Sequence, residues 1–333
     1  MRPSAILLLL SFCIAASGAE EFKSASEARK IFAGLLKVPL AEPSVSAVVH
    51  SSREEGGLVI EDVSWESQDG ETVSAYLIRP ANSKGKHPAI ICLHGSSGSR
   101  ESDTAEQFGT GQWTRHGAKE PHSRMLGWAR ELARKGYITL SITQRGLDSR
   151  TPDTNDRAKN LLVRGRTLMG AIVQEIRQGI TYLRERPEVR SEAIGISGMS
   201  FGGITSFYTW LIDDRIAAAA PICGGIGSVD VLLRNGRPSY HGFYWWIPNM
   251  LTKGDQAEFA AAMAPRPLLV WAPREDIGMP KEGVDRFAEV VTPAYVRKNA
   301  KGNLEIHQPP GEHSFTLEAF NAMRAFFDKH LGR

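Results

Sequence analysis

The chain, 333 residues long, is predicted to fold as a single α/β domain: a mainly parallel central sheet with an N-terminal antiparallel hairpin, helices on both faces and a short aromatic lid insertion. Three observations predict this. Apolar runs of strand length alternate with longer stretches of helical spacing, as in a parallel sheet covered on both faces. Val59–Trp65 and Thr72–Ile78 alternate polar and apolar residues around Gln68-Asp69-Gly70, which reads as an antiparallel hairpin. Gly198-Met199-Ser200-Phe201-Gly202 stands between the apolar run Ala193–Ile196 and a small-residue stretch, Gly203–Tyr208, that can start a helix.

The remaining elements follow in order. Ala89–Leu93 is a short apolar strand entered through Pro88. Ser123–Lys135 has helical spacing at Met125, Trp128 and Leu132, and Gly136 closes it before the strand Tyr137–Ile142. Thr167–Glu185 is the longest helix, with Leu168, Ile172, Ile176, Ile180 and Leu183 on one stripe. After the serine-bearing strand come strands Ile216–Cys223, Pro267–Trp271 and Leu304–His307, and an amphipathic helix, Phe315–Leu331, closes the chain. Two long insertions, residues 96–122 and 224–262, follow strand C-terminal ends, where open α/β sheets bind ligands. Without internal repeats or low-complexity linkers, the expected organisation is a leader (1–19), an N-terminal extension (20–57) and one domain (58–333) whose lid spans about 224–262.

Arg2, the apolar runs Ile6–Leu10 and Phe12–Ala16, and the small residues Ser17-Gly18-Ala19 read as a secretory signal peptide, so the protein is expected to be secreted or periplasmic. Lipidation at Cys13 is the rival reading, against which the bulk of Phe12 argues. No later segment reaches ~18 uninterrupted apolar residues, so no membrane span is expected. A net charge of +3 with bases scattered among acids excludes the one-sided positive stripe of a nucleic-acid binder. Cys92 and Cys223 lie in apolar strand-like segments separated by the serine-bearing strand, too far apart for a disulfide, and read as buried hydrophobes. The nine histidines contain no H-E-x-x-H or H-x-H pairing, so neither a metal site nor a cofactor is expected.

The sharp turn at Ser200 needs glycine on both sides and holds a hydroxyl in the open above a helix N-terminus. Such a serine becomes a nucleophile only with a base to take its proton and an acid to orient that base. Asp276, in Ala272-Pro273-Arg274-Glu275-Asp276, follows a late strand, and His313, in Gly311-Glu312-His313-Ser314-Phe315, precedes the last helix. The chain order Ser, Asp, His fits that machinery, with Glu275 as the alternative acid. His307 and His330 read as structural, and His94 as shaping its loop. The expected oxyanion donors are the backbone N–H groups of Phe201 and of Ser96 in His94-Gly95-Ser96-Ser97-Gly98. Arg145 is either half of a buried ion pair or a substrate contact. Tyr244-Trp245-Trp246 is either lid core or a platform for a sugar or aromatic ring; three adjacent aromatics cannot all face one core.

With these residues in place the chain resembles the α/β-hydrolase superfamily, and within it the bacterial acetyl xylan esterase and dienelactone-hydrolase-like group. The likeness runs from about residue 58 to 331 and rests on Leu93–Gly98, Gly165–Gly170, Tyr182–Val189, Gly198–Gly203 and Ala264–Leu269 in order. It implies an α/β-hydrolase fold and a serine esterase using Ser200, Asp276 and His313 on small-molecule or carbohydrate esters, acetate esters above all, through an acyl-enzyme. Dienelactone hydrolases proper use a cysteine nucleophile where this chain has Ser200, which argues against their substrate. Well-studied cephalosporin/xylan deacetylases carry Gln where this chain has Leu147 and Phe201. Two alternatives stay open: a serine exopeptidase of the prolyl-oligopeptidase type, for whose propeller the chain has no room, and a non-catalytic binding protein on the same fold. The oligomeric state is left open.

Overall fold

The stretch ahead of the hairpin forms a helix, α1 (Ala25–Leu36), and a strand, β1 (Val48–Glu55). The computed structural model describes residues 22–82, 84–96, 98–113, 122–145, 150 and 154–332; the leader expected at 1–19, with Cys13, lies outside them, as do Ser97 and Leu147. Ser24 starts α1 by accepting from the Glu27 N–H, and Ala28, Phe32, Ala33 and Leu36 bury one face of it. The hairpin forms as the alternation predicts, with β2 (Leu58–Glu66) and β3 (Thr72–Pro80) antiparallel and Trp65 opposite Val73. β1 extends it along the other edge of β2.

β4 (His87–Leu93) is buried from Pro88 onward and leads to the short helix α2 (Arg100–Asp103). The helix expected over Ser123–Lys135 is corrected here. β5 (Gly109–Trp113) pairs antiparallel with β6 (His122–Leu126), and α3 (Trp128–Arg134) starts only after Gly127. Gly127 has a φ of +65°, and a Cβ there would lie 2.5 Å from the Ala105 carbonyl, so a right-handed helix cannot run through it. β7 (Ile138–Ile142), α4 (Thr154–Val163), α5 (Leu168–Glu185), β8 (Val189–Met199), α6 (Phe201–Ile212), β9 (Ala218–Ile222) and α7 (Val229–Asn235) follow. The chain ends with α8 (Gln256–Ala262), β10 (Leu268–Trp271), α9 (Lys281–Arg297), β11 (Leu304–His307) and α10 (Leu317–His330). A Cβ on Gly170 of α5 would collide with the Leu36 carbonyl, so α1 and α5 meet through backbone.

The main sheet runs β1-β2-β3-β7-β4-β8-β9-β10-β11, antiparallel from β1 to β7 and parallel from β7 to β11. From β4 the chain crosses to β7 on one side and then back to β8 on the other. The reversal opens a crevice beyond the carboxyl ends of β4 and β8. Residues of α1, α5, α6 and α9 join one core against the sheet, and residues of α3 and α10 join the other. This is the α/β-hydrolase architecture. Among the described residues no helix is long and apolar enough to cross a membrane.

Arg145, at the end of the β7 segment, is 2% exposed and engaged in ion pairs. Its guanidinium donates to both Asp69 oxygens at 2.6 Å, to Ser67 Oγ at 3.0 Å and to Glu175 Oε1, from Nε at 2.8 Å. It therefore ties the β2–β3 turn to α5 and forms the buried ion pair that was one of the two readings of this residue. The hydrogen bonds from Arg145 hold the Asp69 carboxyl well below the usual carboxylate range. Arg150 also reaches Glu175, at 2.7 Å. Arg145→Met should destabilise the protein by about 3 kcal/mol, because breaking one partner strands buried charge while Arg150 still serves Glu175. A depressed carboxylate contributes stability that is full above its unfolded pKa of about 4 and is lost as pH falls through its lower folded value. Urea unfolding from pH 5 downward should accordingly show a shallower loss of stability in Arg145→Met than in the parent; equal slopes would remove Asp69 from the account.

Candidate active site

Ser200 sits where β8 turns into α6, at φ 56° and ψ −112°, and is partly exposed. A residue with a Cβ rarely adopts such a conformation unless its surroundings impose it. Here the imposing contacts are backbone. A Cβ on Gly198 or Gly202 would overlap the Leu93 carbonyl at the end of β4, and one on Gly203 would lie 2.6 Å from the Ile222 carbonyl at the end of β9. The Ser200 N–H donates to that same Ile222 carbonyl at 2.8 Å. Phe201 opens α6, so its N–H is among the first-turn donors without an acceptor inside the helix.

The other two predicted partners come from the ends of β10 and β11. Asp276 and His313 are 5% and 3% exposed, and His313 Nδ1 lies 2.9 Å from each Asp276 oxygen. A carboxylate only accepts, so Nδ1 carries the proton and Nε2 keeps its lone pair. The Gly278 N–H donates to Asp276 Oδ1 at 2.8 Å and fixes the carboxylate from behind. Glu275 is exposed and turns away: its carboxylate accepts from the Gly311 N–H. Asp276, not Glu275, therefore meets the imidazole. The two loops are also joined by Arg274 N–H to Pro309 O at 3.0 Å and Glu275 N–H to Gly311 O at 3.1 Å.

The loop after β4 passes beside the serine. A Cβ on Gly95 would stand 3.5 Å from the Met199 carbonyl and 3.7 Å from Ser200 Cβ, which brings the adjacent Ser96 to the same edge. His94 holds this loop. Its Nε2 accepts from the Gln144 N–H at 2.9 Å, which leaves Nδ1–H to donate to the Gly95 carbonyl at 2.8 Å. Gln144 Nε2 returns a bond to the His94 carbonyl at 2.7 Å, and Thr205 Oγ1 of α6 reaches Gln144 Oε1 at 2.6 Å. Burial lowers the His94 pKa to about 4, so the ring is neutral near pH 7. His307 and His330 lie on β11 and α10, with His307 against Glu305 at 3.1 Å.

The lid divides its aromatics. Trp245 is 1% exposed and stacked on His241 with centroids 4.3 Å apart, so its indole belongs to the lid interior. Tyr244 stands edge-on to Phe201 at 4.7 Å, directly over the residue after the serine. Trp246 is partly exposed and, with Phe243 and Lys159 of α4, lines an open groove of about 590 Å³. Tyr240 packs edge-on against the His313 ring at 5.7 Å, and His241 Nε2 donates to the Gly278 carbonyl at 2.5 Å. Residues 240 and 241 therefore pack on the loops that carry Asp276 and His313, a contact that nothing in the spacing of Tyr240 or His241 signals.

Cys92 and Cys223 are free, buried thiols. Cys223, just past β9, has a φ of +50° and its Sγ contacts the Ser314 carbonyl at 3.4 Å. Burial, with the Asp276 carboxylate beside it, pushes the Cys223 thiol up. Sequence reading placed it in the core and missed that it adjoins Asp276 and His313.

Residues 116–323 match the family model described as the Dienelactone hydrolase family. The Bacillus subtilis (strain 168) protein named “Putative hydrolase YtaP” is 27% identical over 309 residues, covering 92% of this chain and 99% of its own length. Among solved structures, an acetyl xylan esterase from Paenibacillus sp. R4 superposes with a TM-score of 0.65 at 16% identity, covering 93% of this chain and 96% of that one. A glucuronoyl esterase from Solibacter usitatus does so with 0.66 at 15% identity, covering 91% and 92%. At such identities the structural likeness speaks for the fold.

The choice between neighbouring acids yields a kinetic expectation. Asp276→Asn should lower kcat on an activated ester by up to ~10⁴, because an amide in that place favours the wrong imidazole tautomer. Glu275→Gln should leave kcat nearly unchanged, since it removes only an exposed loop contact. Steady-state kinetics of the two variants decide it; the reverse ranking would displace Asp276.

Proposed function

The chain belongs to the dienelactone hydrolase family, and from that premise we propose that it removes small acyl groups, acetate above all, from carbohydrates through a serine acyl-enzyme. Ser200 attacks the ester carbonyl while His313 Nε2 takes its proton, and the imidazolium then returns a proton to the departing sugar oxygen. Asp276 keeps Nδ1 protonated and the ring in place. The N–H groups of Phe201 and Ser96 receive the oxyanion, an interaction whose loss typically costs ~3 kcal/mol in the transition state. Water then releases the acid by the same steps. The observation that supports this reading is the double contact of Asp276 with His313 Nδ1, which puts the proton on Nδ1 and makes Nε2 the basic nitrogen of the ring.

Substrate class rests on the lid and on the relatives. Tyr244 over Phe201 would narrow the side where an acyl chain lies, and Trp246 with Phe243 offers flat apolar surface in a groove that His241 also lines. Aromatic faces of this kind suit the C–H-rich faces of sugar rings. Acetyl xylan and glucuronoyl esterases share the fold and act, by name, on carbohydrate esters. Export by the leader at residues 1–19 completes the proposal.

A substrate panel tests it. Hydrolysis of p-nitrophenyl acetate should far exceed that of the octanoate, and dipeptide anilides should be inert; rapid anilide cleavage would make the protein a peptidase. A sulfonyl fluoride should add one label, found on Ser200 by mass spectrometry. Trp246→Ala should raise KM for acetylated xylo-oligosaccharides more than for p-nitrophenyl acetate. Trp245→Ala should chiefly lower Tm, since truncating a buried Trp costs ~3–5 kcal/mol. A preference for long acyl chains, with KM for every substrate rising alike in Trp246→Ala, would replace the sugar platform by a lipase-like lid.

A further inference from the structure

Cys223, Asp276 and His313 arrive from three strand ends, yet their Sγ, carboxylate and ring-nitrogen atoms all lie within 4.8 Å of one another, and all three residues are buried. A thiol, an imidazole and a carboxylate are the three ligand types that tetrahedral zinc takes, leaving a fourth position open. With metal–ligand distances of 2.0–2.3 Å, the ligand atoms of such a site stand roughly 3.3–3.6 Å apart. Asp276 and His313 stand closer than that, at 2.9 Å, while the three atoms lie within 4.8 Å of one another, so an ion would enter by opening the first pair slightly and drawing the thiol inward. The surroundings resemble an outer shell: the Gly278 N–H holds Asp276 Oδ1 at 2.8 Å, and the Cys223 N–H is anchored on the Trp271 carbonyl at 2.8 Å. No spacing motif marks the site, because its ligands are far apart in the chain.

We propose that these three residues form an inhibitory site for a thiophilic divalent cation, of which Zn²⁺ is the test case. Binding balances simply. The thiol loses one proton to solvent and its sulfur bonds the metal, while one Asp276 oxygen supplies the second bond. The third comes from the His313 Nδ1 lone pair, so the proton that stood on Nδ1 moves through solvent to Nε2. The imidazole remains neutral, one proton is released per ion, and no oxidant or reductant takes part. Nε2–H cannot accept a proton from the Ser200 hydroxyl, so the base is disabled by a change of tautomer rather than by blockage of the cleft. Soft thiolate in the ligand set selects Zn²⁺ and its heavier relatives over Mg²⁺ or Ca²⁺. Since all three ligands are buried, with the edge of Tyr240 against the His313 ring, inhibition should develop slowly and reverse with a chelator.

Co²⁺ gives a readout independent of catalysis. The full chain titrated with Co²⁺ should gain a thiolate-to-cobalt absorption band and tetrahedral visible bands. Cys223→Ser and Cys223→Ala should each lose the thiolate band, while a chain retaining only Cys223 (Cys13→Ser, Cys92→Ala) should keep it. Titration with Zn²⁺ by calorimetry in buffers of different ionisation enthalpy should report about one proton released per ion. For p-nitrophenyl acetate hydrolysis, each protein is compared with its own zinc-free rate. Zn²⁺ should suppress the parent, and the concentration for half-inhibition should rise at least tenfold in both Cys223 variants, with Mg²⁺ inert throughout. The rate arm rests on the serine-esterase reading and the cobalt arm does not, so a failure of one is distinguishable from a failure of the other. Absence of the thiolate band, equal Zn²⁺ sensitivity of the Cys223 variants, or cobalt bound through Cys223 without loss of rate would each overturn the proposal.

Discussion

Everything around the serine depends on a place where three stretches of backbone approach more closely than side chains permit. The Leu93 carbonyl ends β4 against Gly198 and Gly202, and the Ile222 carbonyl ends β9 against Gly203. Hydrophobic packing alone would not impose this, since even one methyl group has no room to relax among backbone atoms. The approach draws the carboxyl ends of β4, β8 and β9 together at the point where the strand order reverses. It forces Ser200 out of the common backbone regions and sets the β4 loop beside it. Its cost in strain is offset by the packing of the flanking strands β4 and β9, which are buried nearly throughout.

The polar interior behind this junction follows from the same geometry. Backbone groups exposed by a sharp turn need partners, and inside a core they cannot take them from water. His94, Gln144 and Thr205 supply them in a chain that links β4, β7 and α6. Burial keeps His94 neutral at any pH well above about 4, so its pattern of one donor and one acceptor stays constant over the range in which esters are handled. The two histidines thus differ in neighbours rather than in type: His313 faces a carboxylate, His94 a carbonyl and an amide.

Much of this was legible from residues. The β2–β3 hairpin was written in alternation, the elbow in its glycines, and Asp276 and His313 in their positions after late strands. What escaped reading has physical causes. Gly127 sits within a run of helical spacing, but its left-handed backbone splits that run into a strand and a shorter helix. α9 carries Pro293 inside it, which masks a helical stripe from propensity. α1 and β1 owe their places to contacts with α5 and β2 that are remote in sequence. Glu275 and Asp276 are adjacent acids, and only the direction in which the loop presents them separates their roles. Arg145 left two readings open because a lone basic residue says nothing of the acids the fold brings to it; here they are Asp69 and Glu175.

The loops that carry Asp276 and His313 are laced to each other by Arg274 to Pro309, Glu275 to Gly311 in both directions, and Gly278 back onto Asp276. These bonds run between the ends of β10 and β11, whereas the elbow is set by β4, β8 and β9. The Asp276–His313 pair and the Ser200 turn are thus secured by separate supports. The side-chain atom at position 200 becomes a variable the scaffold can exchange at little architectural risk: sulfur for oxygen there would change its intrinsic reactivity while the Asp276–His313 contact stayed where it is. A frame divided in this way can diversify its chemistry one atom at a time.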